Sequence, residues 1–245
     1  MRSYFRLSRT HSYSLLFAVP LLLLYEAGAA LLGGGGGAAL RNGADVLLRT
    51  LLAAGGITGT AAFTGVLLLA ALLIVLAERR RKQVPLKAGV FGLMLLESTL
   101  YALLLGLVVG TATAWLLGGF GLRLAADPAP VAALPLPQAL VLSLGAGIYE
   151  ELVFRVLLVG GLRGVFRTSG LGPTRSGVFA AVLAALAFSA FHYLGPYGDP
   201  WALGSFTFRA LAGLVFSALF LLRGFGITAW AHALYDVFLF LARGL

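Results

Sequence analysis

The chain lacks cysteine and is poor in charge, and each shortage excludes a class of protein. Without cysteine in its 245 residues there is no disulfide framework, no thiolate nucleophile and no thiolate-bound metal. Charged residues make up only 11% and hydrophobic ones 60%, with a mean hydropathy of +0.97, which excludes an ordinary soluble domain. Acids are the scarcer sign, nine against eighteen lysines and arginines. In a soluble protein the +9 balance would suggest nucleic acid as a partner. Here the basic residues stand mainly in short loops between apolar runs, where they act as topology signals and as contacts for anionic lipid headgroups. No stretch between those runs is long enough for a separate core, so residues 1–245 are expected to form a single transmembrane domain.

What the chain does have is apolar runs near the roughly 20 residues that span a bilayer. They cover residues 14–32, 58–77, 88–117, 138–160, 177–194, 203–222 and 227–242. An eighth span within residues 38–56 would raise the count. The expected fold is therefore an all-α polytopic membrane protein, a bundle of about seven to eight transmembrane helices with a buried polar site. The first run follows Arg2, Arg6 and Arg9 and contains small residues suited to signal cleavage, but its length and Glu26 favour an uncleaved helix. Gly33 to Gly37 reads as a flexible connection. Residues 44–54, with Asp45 and Arg49 four apart, read as a short amphipathic helix at the interface. Pro128, Pro130, Pro135 and Pro137 exclude a regular helix between residues 125 and 137, and residues 195–200 read as a turn. Summed over alternate loops, twelve basic residues fall on one side and four on the other. That bias places the N-terminus in the cytoplasm of a multi-pass protein of the cell (cytoplasmic) membrane. The short loops and Gly/Ala-rich composition lean towards a bacterial or archaeal inner membrane.

Five of the nine acids, Glu26, Glu97, Glu150, Glu151 and Asp236, lie within these spans. Each would cost about 2.5 to 3.5 kcal/mol at a helix centre, so each needs a partner or a purpose. Glu151 and Arg155 are one turn apart and can neutralise each other. Glu150 points about 100° away from Glu151, and its setting suits a general base acting on water. The competing reading is an ion-pair knot that only holds helices together. Phe188 and His192 share a face at four-residue spacing, and so do His232 and Asp236. The second pair could bind a metal, let Asp236 fix the tautomer of His232, or form a structural hydrogen bond. Glutamate, histidine and a His/Asp pair on separate helices are together the parts needed to activate water for attack on a carbonyl. Glu26 and Glu97 either bond to Arg209 or helix backbone, or line a substrate route. One mismatch stands out: counted from the cytoplasmic span ends at 1.5 Å per residue, His232 lies about 8 Å deep, Glu150 about 16 Å and His192 about 22 Å.

In these motifs the sequence resembles the CPBP/ABI family of intramembrane proteases, which includes CAAX prenyl endopeptidases and bacteriocin-processing enzymes. The family pattern is Glu-Glu-x-x-x-Arg, then Phe-x-x-x-His, then His-x-x-x-Asn or a related residue, each on its own helix. It is matched by Glu150, Glu151 and Arg155, by Phe188 and His192, and by His232 and Asp236, within a catalytic core of residues 138–245. The resemblance implies hydrolysis of a peptide bond in a membrane-anchored protein or peptide. Glu150 would be the general base and His192 its assistant, Glu151 and Arg155 would support the site, and His232 with Asp236 would stabilise the oxyanion or bind a metal. One divalent cation such as zinc, held by His192, His232 and Asp236, is the cofactor it leaves open. Asp236 stands where Asn is commoner, and Val156 where Gly is frequent. The alternative from another class is a non-catalytic immunity or scaffold protein that uses the same polar cluster structurally. A transporter is disfavoured because no internal repeat is visible.

Overall fold

In lipid a backbone amide finds no partner except its own helix, so apolar runs fold as helices wherever breakers are absent. A computed structural model of the chain describes residues 2–33, 40–119, 134–195 and 198–243, and it is all helical among them. A short α1 (Arg2–Ser8) leads into α2 (His11–Leu32), followed by the short α3 (Gly43–Ala54). Two long helices come next, α4 (Thr60–Lys82) and α5 (Ala88–Gly119). A continuous helical stretch then runs through α6 (Leu136–Gly145), two π-helical segments (Ala146–Glu150 and Leu152–Val159) and α7 (Gly160–Thr168). The chain closes with α8 (Pro173–Phe191), α9 (Leu203–Arg223) and α10 (Phe225–Arg243). Among the described residues six helices, α2, α4, α5, α8, α9 and α10, are long and apolar enough to cross a membrane. The remaining expected span is the stretch from α6 through the π-helical segments. At 12 residues α3 is too short to be an eighth.

The middle of the bundle is α10, which packs on α2, α5, α6, α9 and the first π-helical segment. Small residues allow this: Ala229, Ala231 and Ala233 are fully buried. Small faces also let α8 and α9 meet, since a Cβ built on Gly213 would stand 3.0 Å from the Ala185 Cα. The outer helices α4 and α5 turn rows of leucines such as Leu69, Leu73, Leu100 and Leu107 outwards, as a lipid-facing surface requires.

One end of the bundle is tied by polar contacts between helices far apart in sequence. The Glu78 carboxylate accepts from the Ser12 backbone N–H at 2.7 Å and from its hydroxyl at 2.9 Å, meeting free donors in the first turn of α2. The Tyr13 hydroxyl donates to the Pro85 carbonyl at 2.8 Å. Arg223, at the end of α9, donates to Glu97 at 2.6 and 2.7 Å and to Ser8 at 2.9 Å. These contacts gather the start of α2 and the ends of α4 and α9 at one end of the bundle.

Several expected boundaries shift. Pro137 lies inside the first turn of α6, where a missing N–H costs nothing, so the prolines end their helix-breaking effect two residues earlier than expected. At its start α8 extends past Arg175 to Pro173, and it ends at Phe191, three residues short of the expected 194. The second to fifth glycines of the connection, the proline-rich stretch up to residue 133, and Pro196 and Tyr197 of the turn lie outside the described residues.

Candidate active site

The site grows from the π-helical segments, whose wider turns recur where a helix carries function. Two glycines bring its neighbours close. A Cβ on Gly147 would stand 2.5 Å from both the Ala229 carbonyl oxygen and the Ala233 Cβ, so only glycine lets α10 approach there. A Cβ on Gly145 would collide with the Tyr25 ring and stand 3.0 Å from the Asn42 Cβ. Between these approaches, Glu150 and Glu151 face opposite partners.

Glu151 looks inward. Its Oε1 lies 2.8 Å from His232 Nδ1 and its Oε2 3.1 Å from Arg155 Nε, with both Glu151 and Arg155 fully buried. A carboxylate only accepts, so the His232 proton sits on Nδ1 and is donated to Glu151. The Arg155 guanidinium has no hydrogen-bond partner at any of its three nitrogens. It is held by charge and by two ring faces, 4.6 Å from the Phe188 centroid and 5.7 Å from that of Phe216. Phe216 also stacks on the His232 ring, centroids 4.4 Å apart, which fixes the plane of the imidazole.

Glu150 looks the other way, towards α3 and α8. Its Oε1 accepts from Asn42 Nδ2 at 2.8 Å. Its Oε2 is buried without a hydrogen-bond partner, 3.9 Å from His192 Nε2. His192 Nδ1 stands 2.8 Å from the Phe188 carbonyl oxygen, an acceptor only, so Nδ1 carries the proton and neutral Nε2 offers a lone pair towards Glu150. On the far side Asp236 Oδ2 lies 3.7 Å from His232 Nε2. The side chains of His192 and Asp236 are 25% and 23% exposed against 8% for Glu150, so the cluster opens on their side. There the chain after α8 folds back, the Asp199 N–H donating to the His192 carbonyl at 2.9 Å while Asp199 pairs with Arg209.

All six expected side chains, Glu150, Glu151, Arg155, His192, His232 and Asp236, thus meet in one cluster. The mismatch in depth has a physical source. Arg223 reaches Glu97, the tenth residue of α5, so the start of α10 lies about 14 Å below the start of α5 and beneath α1. Depths counted from span ends as though these shared one level are therefore not comparable.

Other expectations are corrected. Glu151, from another helix, makes the hydrogen bond to His232 Nδ1, while Asp236, one of the partners the spacing offered, lies 3.7 Å from Nε2. Arg209 pairs with Asp199 rather than with Glu26 or Glu97. Glu97 takes Arg223, and Glu26 takes Arg41 and Arg49, each at 2.7 Å, with the Tyr149 hydroxyl at 2.7 Å. Burial pushes the Asp45 carboxyl of α3 up from its ordinary value, while Tyr25, Arg49 and Arg41 pull it down. Among the described residues no three His, Asp or Glu side chains are placed to hold a metal ion. His192 and His232 each have Nδ1 hydrogen-bonded and Nε2 facing a carboxylate. Asn42 and Phe216 were not foreseen. Asn42-Gly43-Ala44-Asp45 is legible as a helix cap, but a partner 108 residues away is not.

No curated protein and no solved structure matches the chain. A family model does match residues 132–238, that of the Rce1-like type II CAAX prenyl endopeptidases. This is a family of proteases, so the match supports an enzyme. The segment that contains all six clustered side chains is thus similar to the Rce1-like CAAX proteases, in line with the family that the three motifs resemble.

Proposed function

We propose that the chain is an intramembrane endopeptidase that hydrolyses a peptide bond of a membrane-associated protein or peptide. The observation that carries this is the pairing of Glu150 Oε2, buried and unbonded, with the lone pair of His192 Nε2 at 3.9 Å. A water donating one hydrogen to each would sit about 2.8 Å from both. As its oxygen attacks the carbonyl carbon, Glu150 takes the proton and later passes it to the leaving nitrogen, while His192 orients the water. His232, anchored at Nδ1 by Glu151, stacked on Phe216 and flanked at Nε2 by Asp236, acts as an imidazolium, whose second N–H, on Nε2, is the donor to the developing oxyanion. Arg155, 3.1 Å from Glu151, is the buried counter-charge of that carboxylate. No step requires a metal, and dialysis against a divalent-cation chelator is expected to leave the rate unchanged.

The family description suggests a prenylated CAAX protein as the first substrate to try. Leader peptides and C-terminal tails of membrane-anchored proteins are the other two. The loop charges place the N-terminus in the cytoplasm of a cell membrane. The test is a terminal-peptide proteome of membranes from a strain lacking the protein, complemented with the native chain or with Glu150→Gln. Uncut termini that vanish only with the native chain support the assignment and identify the substrate. If no uncut terminus accumulates, the cluster is structural and the protein is a scaffold or immunity factor.

A further inference from the structure

We propose that Asn42 is a positioning residue for Glu150: from the start of α3 it binds one carboxylate oxygen, which leaves the other to face His192. This rests on the assignment of Glu150 above. Asn42 lies outside residues 132–238, so a part of the chain that the family model does not cover supplies a group to the site.

The orientation of the Asn42 amide follows from its other bonds. Asn42 is the N-cap of α3, and its Oδ1 accepts from the Ala44 N–H at 2.8 Å. With the oxygen committed to a donor, the –NH2 end must point away, and it meets Glu150 Oε1 at 2.8 Å. Only a donor is thus presented to Glu150, at one oxygen only. The backbone is pinned as well, the Asn42 N–H donating to Tyr25 Oη at 3.0 Å and Tyr25 in turn to Asp45 at 2.8 Å. Asp45 pairs with Arg49 and Arg41, both of which pair with Glu26, and Glu26 accepts from Tyr149, the neighbour of Glu150. The chain of contacts leaves the π-helical stretch at Tyr149 and returns to it at Glu150.

The charges in that ring explain why an amide closes it. Two acids and two arginines satisfy one another, so no cation of the ring reaches Glu150. A neutral donor orients the carboxylate without the strong pairing a guanidinium would impose, and so leaves it able to accept a proton.

Asn42 is the only asparagine in the sequence, which makes the contact directly observable. The full chain labelled with 15N-asparagine and held in nanodiscs should give one side-chain amide pair, with one proton shifted downfield. Glu150→Ala should collapse that shift, whereas Glu78→Gln, remote from the site, should leave it. A pair unmoved by Glu150→Ala would overturn the proposal. The second readout separates positioning from folding, because serine also caps helices well. Asn42→Ser should keep the native melting temperature and lose about tenfold or more in kcat, the scale of one hydrogen bond to a charged group. KM should stay within about twofold, as expected for a group that acts through the chemical step. Full kcat, or a loss only in step with melting temperature, would overturn it. If the native chain and Glu150→Gln cleave alike, the functional assignment falls, while the amide signal still decides whether Asn42 holds Glu150.

Discussion

At the scale of single residues, the adjacent carboxylates of Glu150 and Glu151 have opposite fates. Each keeps one buried oxygen without a hydrogen bond, but that of Glu151 lies 3.1 Å from the Arg155 guanidinium, beside the bond to His232, whereas that of Glu150 faces the His192 imidazole at 3.9 Å. Arg155 should therefore be structural before it is anything else. Arg155→Met leaves Glu151 buried without its guanidinium and should destabilise the protein by about 3 to 5 kcal/mol, read by unfolding in detergent. Adding Glu151→Gln to it should recover much of that stability without recovering cleavage. The unequal roles could be read in the sequence, since a four-residue spacing pairs Glu151 with Arg155 and leaves Glu150 out. The bond from Glu151 to His232 could not, because helical spacing offers His232 only its own neighbour Asp236. Which carboxylate it takes depends on how close α10 stands to the π-helical stretch.

At the scale of elements, that closeness is a property of Gly147. Gly147→Ala should force α10 away from the π-helical segment, costing about 1 to 3 kcal/mol in overpacking. Cleavage should fall much further than stability, because His232 and Asp236 move with α10; unfolding and turnover measured on the same preparation check this. Helix existence was legible for every span, since apolar runs of bilayer length have few other outcomes. Helix ends were less so. The start of α10 is set by Arg223 meeting Glu97 beneath α1, and the end of α8 by the fold-back at Asp199. Both depend on contacts across the bundle that no local pattern encodes.

At the scale of the whole molecule, the two halves of the chain are interdependent. The motifs lie in α6 to α10, yet Tyr149 and Glu150 are held by Glu26 on α2 and Asn42 beside α3, and the start of α10 packs on Ser14 and Phe17 of α2. Residues 134–245 expressed alone should therefore neither cleave nor resist proteolysis, and co-expression with residues 1–119 should restore at least the resistance. The central claim is that this assembled bundle uses Glu150 as a base on water. Its most direct test is turnover by purified protein in proteoliposomes on a membrane-anchored peptide, with products identified by mass. Native chain should cut a single peptide bond, and Glu150→Gln, at an unchanged melting temperature, should be slower by about a hundredfold or more. Cleavage by Glu150→Gln at the native rate would contradict the account.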